Sequence, residues 1–536
     1  MNTFKSLFVS AFAAVFIYGC GSTAPIISTP IENIDSSPLK VSELTEEEQH
    51  TWGHLDLAKD TIPGMSVNKA YDEIIKNNKG ETVIVAVIDT GIDIDHEDLS
   101  SVIWNNPKEI PNNGIDDDKN GYVDDMHGWN FLGDAYNEQL EFVRILASKD
   151  TNHPEYAKAK AEYEEEYEKY TGLKNNYEQF LQQLNIADET IITHLNKKDY
   201  TQEDVNNITS EDEKIKQSVA LMQYVYSLDM DTADEVRKEL TEGIKYYTER
   251  LNYNLNIDFK GRTTGDDPDD MSTKYYGNNN VRPSEKDESH GTHVAGIIAA
   301  VRNNGKGADG VANNVKIMSI RAVPNGDEYD KDVALAIRYA VDNGAKVING
   351  SFGKYYSPHS DWVRDAIAYA GKHDVLFVNA AGNEGEDLDK KAVYPNDQVD
   401  NGPEVSDNFI TIGALAPDYG PNMVASFSNY GKINVDVFSP GAKIYSTTPE
   451  NEYDSKSGTS MAAPGVAGVA ALIRSYYPKL SASQVKKVLM ESGLPIKTNV
   501  VVAGDDDNVK PFSSLTKSGK MVNAYNALIM ASQLSK

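Results

Sequence analysis

The chain has 536 residues, of which 40% are hydrophobic, and 82 acidic side chains against 51 basic ones give a net charge of −31. This hydrophobic content is enough for a large core and excludes an intrinsically disordered protein. The acidic excess repels nucleic-acid phosphates and offers no basic patch to anionic lipid, so it argues against a nucleic-acid partner.

The N-terminus predicts an export signal. Lys5 precedes an apolar run, Leu7–Tyr18, that is too short to span a bilayer. The one cysteine, Cys20, has no partner for an internal disulfide, and the residues before it resemble a bacterial lipoprotein box, in which the cysteine carries acyl chains. We therefore expect a signal peptide at 1–19, a lipid-anchored spacer at 20–50 and a location in the cell envelope, with ordinary secretion as the alternative.

Five apolar, β-branched runs predict buried strands. Amphipathic helical patterns separate them, and alternating strands and helices form a parallel sheet covered by helices. We expect an α/β fold with a three-layer parallel β-sheet flanked by helices, built from residues 51–133 and 258–536. The five runs are Thr82–Asp89, Val315–Val323, Ala345–Phe352, Val375–Gly382 and Phe409–Ala416.

An acidic segment at residues 112–125 predicts a cation site. Its crowded aspartates repel one another, and a hard cation relieves that repulsion. The spacing resembles the opening of a calcium loop, although His127 stands where the closing glutamate would fall. The alternative is an acidic turn that binds no ion. The expected Ca²⁺ ligands are Asp116, Asp118, Asn120, the backbone carbonyl of Tyr122, Asp124 and Asp125.

Residues 134–257 predict an all-α insertion. Apolar side chains from Tyr163 to Leu184 recur at helical spacing among charged residues, a capping box at Ser210–Glu213 begins a second helix, and a third passes through Leu240. We expect these helices to pack as hairpins with a structural role. The alternatives are a protein partner for the insertion, or a position over a cleft that restricts substrates.

The segment Lys456–Ile473 predicts a closely packed helix that begins near Ser460. Its alanines and glycines leave little side chain, so neighbouring elements can approach closely. Pro464 fits a first turn, where its missing N–H is not needed. On this segment alone, a simple N-cap is a sufficient explanation for Ser460.

Three motifs place an acid, an imidazole and an alcohol at predicted element ends. Asp89 ends the first buried strand in VIDTGIDIDHEDL, His290 enters a helix in SHGTHVAGIIAA, and Ser460 begins another in SGTSMAAPGVAG. A serine hydroxyl becomes a good nucleophile when a base removes its proton, and the base needs a carboxylate to fix its tautomer. These three side chains can supply those roles.

The three motifs, in the order Asp, His, Ser, resemble those of the subtilisin-like serine proteases, or subtilases. The resemblance implies that Asp89 orients the imidazole, that His290 acts as base and then acid, and that Ser460 attacks the substrate carbonyl to form an acyl-enzyme. NAAGNEG resembles the family's oxyanion motif, which makes Asn383 a donor to the developing negative charge.

The same resemblance implies further sites. A second calcium site would use Asp98 and Asn303. INGSFG resembles an edge strand that binds an extended peptide through backbone hydrogen bonds. The short interval between Cys20 and the first core strand predicts no separate folding propeptide. The expected substrate-binding residues are Ser351, Phe352, Gly353, Ala381 and Gly382.

We therefore expect an exported, membrane-anchored serine endopeptidase that resembles lipoprotein-type bacterial subtilases, is supported by Ca²⁺ and acts on protein or peptide substrates. The alternative is a binding or adhesion protein that uses the acidic insertion on the same scaffold. The triad order and the sequence around Ser460 exclude an α/β-hydrolase, and the lack of H-E-x-x-H argues against a metalloprotease.

Overall fold

The computed structural model describes residues 28–34, 38–228 and 232–536. The predicted signal peptide and Cys20 lie outside these residues, so their roles stay predictions. Among the helices of the described residues, none has both the length and the apolar character needed to cross a bilayer.

A largely parallel β-sheet lies at the centre of the fold. Nine of the described strands form it in the order β10–β13–β7–β6–β5–β4–β1–β3–β2, where β10 pairs antiparallel with β13 and all the other neighbours are parallel. The pairs β8–β9 and β11–β12 form separate hairpins. The strands are β1 (Val83–Asp89), β2 (Gly128–Asn130), β3 (Val315–Arg321), β4 (Val347–Gly350), β5 (Leu376–Ala380), β6 (Phe409–Leu415), β7 (Val437–Pro440), β8 (Ile444–Thr448), β9 (Glu452–Lys456), β10 (Leu494–Pro495), β11 (Asn499–Val502), β12 (Asp505–Pro511) and β13 (Lys520–Met521).

Helices cover both faces of this sheet. Helices α9 and α12–α14 pack on one face, and α10 and α11 pack on the other. The helices are α1 (Glu46–Thr51), α2 (Leu57–Asp60), α3 (Val67–Ala70), α4 (Glu141–Ala147), α5 (Tyr156–Leu195), α6 (Gln202–Asn206), α7 (Glu213–Tyr226), α8 (Ala233–Glu249), α9 (His290–Ala299), α10 (Asp330–Asp342), α11 (Ser360–Lys372), α12 (Thr459–Tyr476), α13 (Ala482–Ser492) and α14 (Ala524–Leu534).

Strand β1 shows why its sequence is continuously apolar. Val85 and Val87 point into the core shared with α9 and α12, whereas Ala86 and Ile88 point into the core shared with α10. Successive side chains of a strand face opposite sides, so a strand buried on both sides needs apolar residues throughout. The predicted three-layer α/β fold is confirmed.

The small residues of α12 permit close packing, as predicted. A side chain at Gly468 would place its Cβ 2.6 Å from Val311, so a larger residue does not fit there. The helix is buried along nearly its whole length and crosses β4 to β7. This close packing of α12 fixes the position of its first turn, which carries Ser460.

Sheet order places the end of β1 beside a crevice. Strand β1 lies between β3 and β4, so the chain order reverses at this point. In parallel sheets, binding crevices form at such a reversal, at the carboxyl ends of the strands. Asp89 ends β1, and Ser351 directly follows β4.

The segment between β2 and α9 contains helices α4–α8. Helix α5 has 40 residues and is therefore about 60 Å long. Its distal half packs with α6, α7 and α8 around a small core that includes Leu184, Met222 and Leu240. The predicted capping box at Ser210 is wrong, because Asp212 is the N-cap of α7 and accepts the Lys214 N–H at 2.8 Å.

Candidate active site

Asp89 and His290 form a direct hydrogen bond at the carboxyl end of β1. Nδ1 of His290 donates to Oδ1 of Asp89 at 2.7 Å. The Asp89 side chain is 1% exposed, and the same Oδ1 accepts the Thr90 N–H at 2.8 Å. Because a carboxylate only accepts, this bond puts the proton of neutral imidazole on Nδ1 and leaves Nε2 as a proton acceptor.

Asp89 also raises the pKa of the imidazole. Burial alone would lower the pKa of His290, but the negative charge of Asp89 and its hydrogen bond outweigh burial, and the net shift is upward from the usual 6.5. The neighbouring His293 has no such carboxylate partner, and burial lowers its pKa to about 3. His293 is therefore neutral, and its Nε2 lies 3.0 Å from the Asp454 carbonyl oxygen.

Ser460 is the second residue of α12 and is not its N-cap, which is Gly458. Its hydroxyl donates to the Ser351 carbonyl oxygen at 3.1 Å, and the Ser351 hydroxyl donates to the Ser460 carbonyl oxygen at 2.9 Å. Pro464 lies four residues further on and has no N–H for that carbonyl, so Ser351 supplies the missing donor. The prediction that Pro464 lies in the first turn is therefore wrong by about half a turn.

Asn383 approaches the start of α12 from the loop after β5. Its Oδ1 accepts the Thr459 N–H at 2.8 Å and the Thr459 hydroxyl at 3.0 Å, which leaves the Nδ2 hydrogens free to donate. Gly382 makes this turn possible. Its φ is +101°, and a Cβ there would lie 2.3 Å from the Asn429 side chain, so the position requires glycine.

One cavity of about 320 Å³ joins these groups. His290, Ser460 and Asn383 line it, together with the predicted substrate-binding residues Ser351, Phe352, Gly353 and Gly382. Ala381 was also predicted to bind substrate, but it does not line the cavity. It is fully buried, its N–H donates to Ile412 and its carbonyl accepts from Asn429, and Ala380 lines the cavity in its place.

Sequence analysis missed one wall of this cavity, which is formed by Gly326, Asp327 and Glu328. Helix α4 holds this wall from behind. The Glu141 N–H donates to the Asp327 carboxylate at 2.7 Å, and the Arg144 guanidinium donates to the carbonyl oxygen of Asp327 at 2.8 Å. The first helix between β2 and α9 is thus joined directly to the cleft.

The acidic segment forms a carboxylate cluster that differs from the prediction. Carboxylate oxygens of Asp116, Asp118 and Glu109 lie within 4.8 Å of one another. Glu109 was missed because it precedes the calcium-like spacing. One of its oxygens accepts two backbone N–H groups, and the other is buried without a hydrogen-bond partner among the described residues.

The other predicted ligands of this segment have different neighbours. Asp124 lies outside this cluster, and its carboxylate accepts the N–H groups of Asn113 and Gly114. Asp125 also lies outside it, is fully buried and accepts the Tyr339 hydroxyl at 2.6 Å. Burial is the main reason that its pKa rises to about 6.

Asn120 and Tyr122 lie between the carboxylate cluster and the residues Asp124 and Asp125. The Asn120 side chain bridges the two, since its Oδ1 accepts the Tyr122 N–H and its Nδ2 donates to Asp125. The Tyr122 ring is buried in an aromatic cluster with Trp129 and Tyr339. The Asn120 backbone N–H donates to Asp116 and Asp118, so Asn120 contacts two of the three carboxylates directly.

The second predicted calcium site also needs a correction. Asp98 is fully buried, and its carboxylate accepts the side-chain amide of Asn304 at 2.5 Å. Asn303 is exposed, and its N–H donates to Asp309. The side chain beside the Asp98 carboxylate is therefore that of Asn304, the residue after the predicted Asn303.

Comparison with known proteins identifies similar chains. The family model described as "Subtilase family" matches residues 80–515. A thermophilic serine proteinase from Bacillus sp. (strain AK1) is 44% identical over 188 residues, which cover 35% of this chain and 43% of that protein. Subtilisin DY from Bacillus licheniformis is 41% identical over 37% of this chain and 68% of its own length.

Among solved structures, a protease from Pseudoalteromonas arctica is similar with a TM-score of 0.46 and 21% identity, over 90% of this chain and 97% of that one. The match to the thermophilic proteinase covers less than half of that relative's length, whereas the match to subtilisin DY covers about two thirds.

Proposed function

Because the chain belongs to the subtilase family, we propose that it is a serine endopeptidase that hydrolyses peptide bonds through Asp89, His290 and Ser460. The 2.7 Å hydrogen bond between His290 and Asp89, in a cavity that Ser460 also lines, is the observation that supports it most strongly. Incubation with an unfolded protein tests it. New internal amino termini that disappear after treatment with a serine-directed sulfonyl fluoride are expected, and an intact substrate contradicts the proposal.

The proposed reaction begins when the Ser460 hydroxyl exchanges its bond to Ser351 for one to Nε2 of His290. His290 removes the proton as Ser460 attacks the substrate carbonyl, and Asp89 stabilises the resulting imidazolium. His290 then gives the proton to the leaving amine, which leaves an acyl-enzyme on Ser460. His290 takes a proton from the water that attacks this ester and returns it to the Ser460 oxygen as the bond between Ser460 and the acyl group breaks and the second product leaves.

Replacing Asn383 by leucine is expected to lower kcat by about 100- to 1,000-fold with little change in KM. In the proposed reaction the free Nδ2 of Asn383 donates to the oxyanion, and this charge develops only in the transition state. The leucine side chain has similar volume but cannot donate. Steady-state kinetics on one peptide measure the effect, and a variant that changes KM alone would contradict this role.

We propose that Glu109, Asp116 and Asp118 bind Ca²⁺. Three convergent carboxylates, one with a buried oxygen that lacks a partner, suit a hard cation with oxygen ligands. Bound calcium would neutralise their mutual repulsion and fix the loop. Asp98 and Asn304 form the weaker candidate for a second site, because the Asn304 amide already donates to that carboxylate.

Removing Ca²⁺ is therefore expected to lower the unfolding temperature by several degrees. A ligand that binds only the folded state adds about 2.7 kcal/mol of stability at 100 times its Kd. Differential scanning calorimetry with Ca²⁺ and with a chelator measures the shift. Glu109→Gln should reduce it, whereas Glu81→Gln, at an exposed site, should not. An equal shift in both variants contradicts the assignment.

We propose that residues 1–19 direct export and that Cys20 is lipidated, so the enzyme acts at the cell envelope. The apolar N-terminal run and the lone cysteine support this proposal. Cell fractionation of the wild type and of Cys20→Ser tests it. Membrane retention of the wild type alone supports it, and equal distribution of both contradicts it.

The binding or adhesion alternative is less well supported. A protein that only binds needs no hydrogen bond between a buried carboxylate and an imidazole beside a serine. The contacts of α4 with Asp327 favour a role for the insertion in the cleft, where it would support the wall and restrict substrates.

A further inference from the structure

Glu328 lines the same cavity as Ser460 and His290. Its side chain is buried, with 3% of the residue exposed. Among the described residues, no other residue forms a hydrogen bond or an ion pair with its carboxylate, and neither carboxylate oxygen is both fully enclosed by protein and unpaired. The carboxylate therefore has access to the cavity.

The surroundings of Glu328 contain more negative than positive charge. Lys354 pairs with Glu141 at 2.7 Å and with Asp330 at 3.0 Å, and Arg144 also pairs with Glu141. These two cations are matched by Glu141 and Asp330. The carboxylates of Asp327 and Glu328, both at the cavity wall, are then left without a matching positive charge.

Backbone contacts fix Glu328 in this position. Its carbonyl oxygen accepts from the Lys354 ammonium at 2.7 Å and from the Arg144 guanidinium at 3.1 Å. Both cations therefore bind its main chain rather than its carboxylate. A buried carboxylate whose one hydrogen bond comes from its own backbone N–H is costly, and burial, opposed by Lys354 and reinforced by Asp327, raises the pKa of Glu328 to about 7.

We propose that Glu328 is the specificity-determining residue for a cationic group of the substrate, which its carboxylate binds in the cleft with Asp327 beside it. The group is a lysine or arginine side chain or a free α-ammonium, since all three supply the missing positive charge. This inference rests on the proposed endopeptidase function and names its substrate class.

Kinetics of the full chain and its Glu328→Gln variant test this proposal. Each of the four positions on either side of one scissile bond is varied in turn among lysine, arginine and glutamine, in acetylated and unacetylated peptides. Glutamine at position 328 keeps the shape of the side chain and removes its charge. Titration with a fluorophosphonate probe gives the concentration of folded sites in each variant.

We expect the wild type to cleave a cationic peptide about 10- to 100-fold faster in kcat/KM than its neutral counterpart, the range for a hydrogen bond to a charged group. Glu328→Gln should lower that ratio to below about threefold. Glu178→Gln, on an exposed face of α5, should keep the ratio. A preference that acetylation removes identifies the α-ammonium, and one confined to a single lysine or arginine position identifies a side chain.

Equal cleavage of cationic and neutral peptides by the wild type would overturn the assignment of Glu328, as would a preference that survives Glu328→Gln. Either result leaves the proposed function intact, because hydrolysis still occurs. No hydrolysis of any peptide would overturn the proposed function and this inference with it.

Discussion

Replacing Ser460 by alanine is expected to lower kcat for peptide hydrolysis by about 10⁶-fold, the size of loss known for subtilisin, a member of this family. The reason is that the variant has no nucleophile, although the cavity and Asn383 can still hold the substrate. The fold should persist, because the Ser460 carbonyl that accepts from Ser351 is unchanged. Initial rates on an internally quenched peptide measure the loss.

Ser457→Ala provides the matched control. Ser457 lies three residues before Ser460, is exposed, and accepts the Lys443 N–H. Its loss should leave kcat within about twofold, as for other surface substitutions. Residual activity of Ser460→Ala above about 1% of wild type, in protein free of contaminating protease, would contradict the role of Ser460.

Replacing Asp89 by asparagine is expected to lower kcat by about 10⁴-fold, the effect known for this change in serine-protease triads. Asparagine can donate to Nδ1, which favours the tautomer whose proton is on Nε2. That tautomer cannot accept the Ser460 proton. The imidazolium also loses its stabilising charge.

The same variant should change the pH dependence of kcat/KM. His290 must be neutral to act as base, so activity rises as pH increases through its pKa, which Asp89 holds above 6.5. Without Asp89, burial lowers that pKa, and the acid limb of the residual activity should move to lower pH. An acid limb that stays in place would contradict the assigned coupling of Asp89 and His290.

Periodicity predicted the sheet well because buried parallel strands leave a local signal. The residues of β1 from Val83 to Ile88 all lie in or against a core, so its apolar run appears in the sequence itself. The ends of such strands are also local features, which explains why Asp89 and Ser351 were placed at the crevice. Helix starts are less certain, since Ser210 and Asp212 are both good caps and tertiary packing decides between them.

The parts that sequence analysis missed depend on distant contacts. Glu141 and Lys354 are 213 positions apart, and no local pattern indicates that they enclose a cleft wall at Glu328. Pro464 is tolerated beyond the first turn because the hydroxyl of Ser351, which directly follows β4, donates to the freed carbonyl of Ser460. Glu109 joins Asp116 through a chain reversal that a linear spacing rule does not describe.

The helices between β2 and α9 are part of the cleft's support. Besides α4, the buried Asn254 contributes to this support. Its side-chain amide donates to the carbonyl oxygens of Glu138 and Asn325, and Asn325 lies three residues before Glu328. The two ends of this insertion therefore contact the cleft wall and Asn325, the residue directly before it.

Covalent trapping with a fluorophosphonate, followed by peptide mass spectrometry, tests the central claim most directly. The probe reacts with a serine that a neighbouring base activates, so we predict one adduct per chain, on Ser460, and none after His290→Ala. An adduct on another residue, or full hydrolysis by a chain that the probe does not modify, would contradict the account.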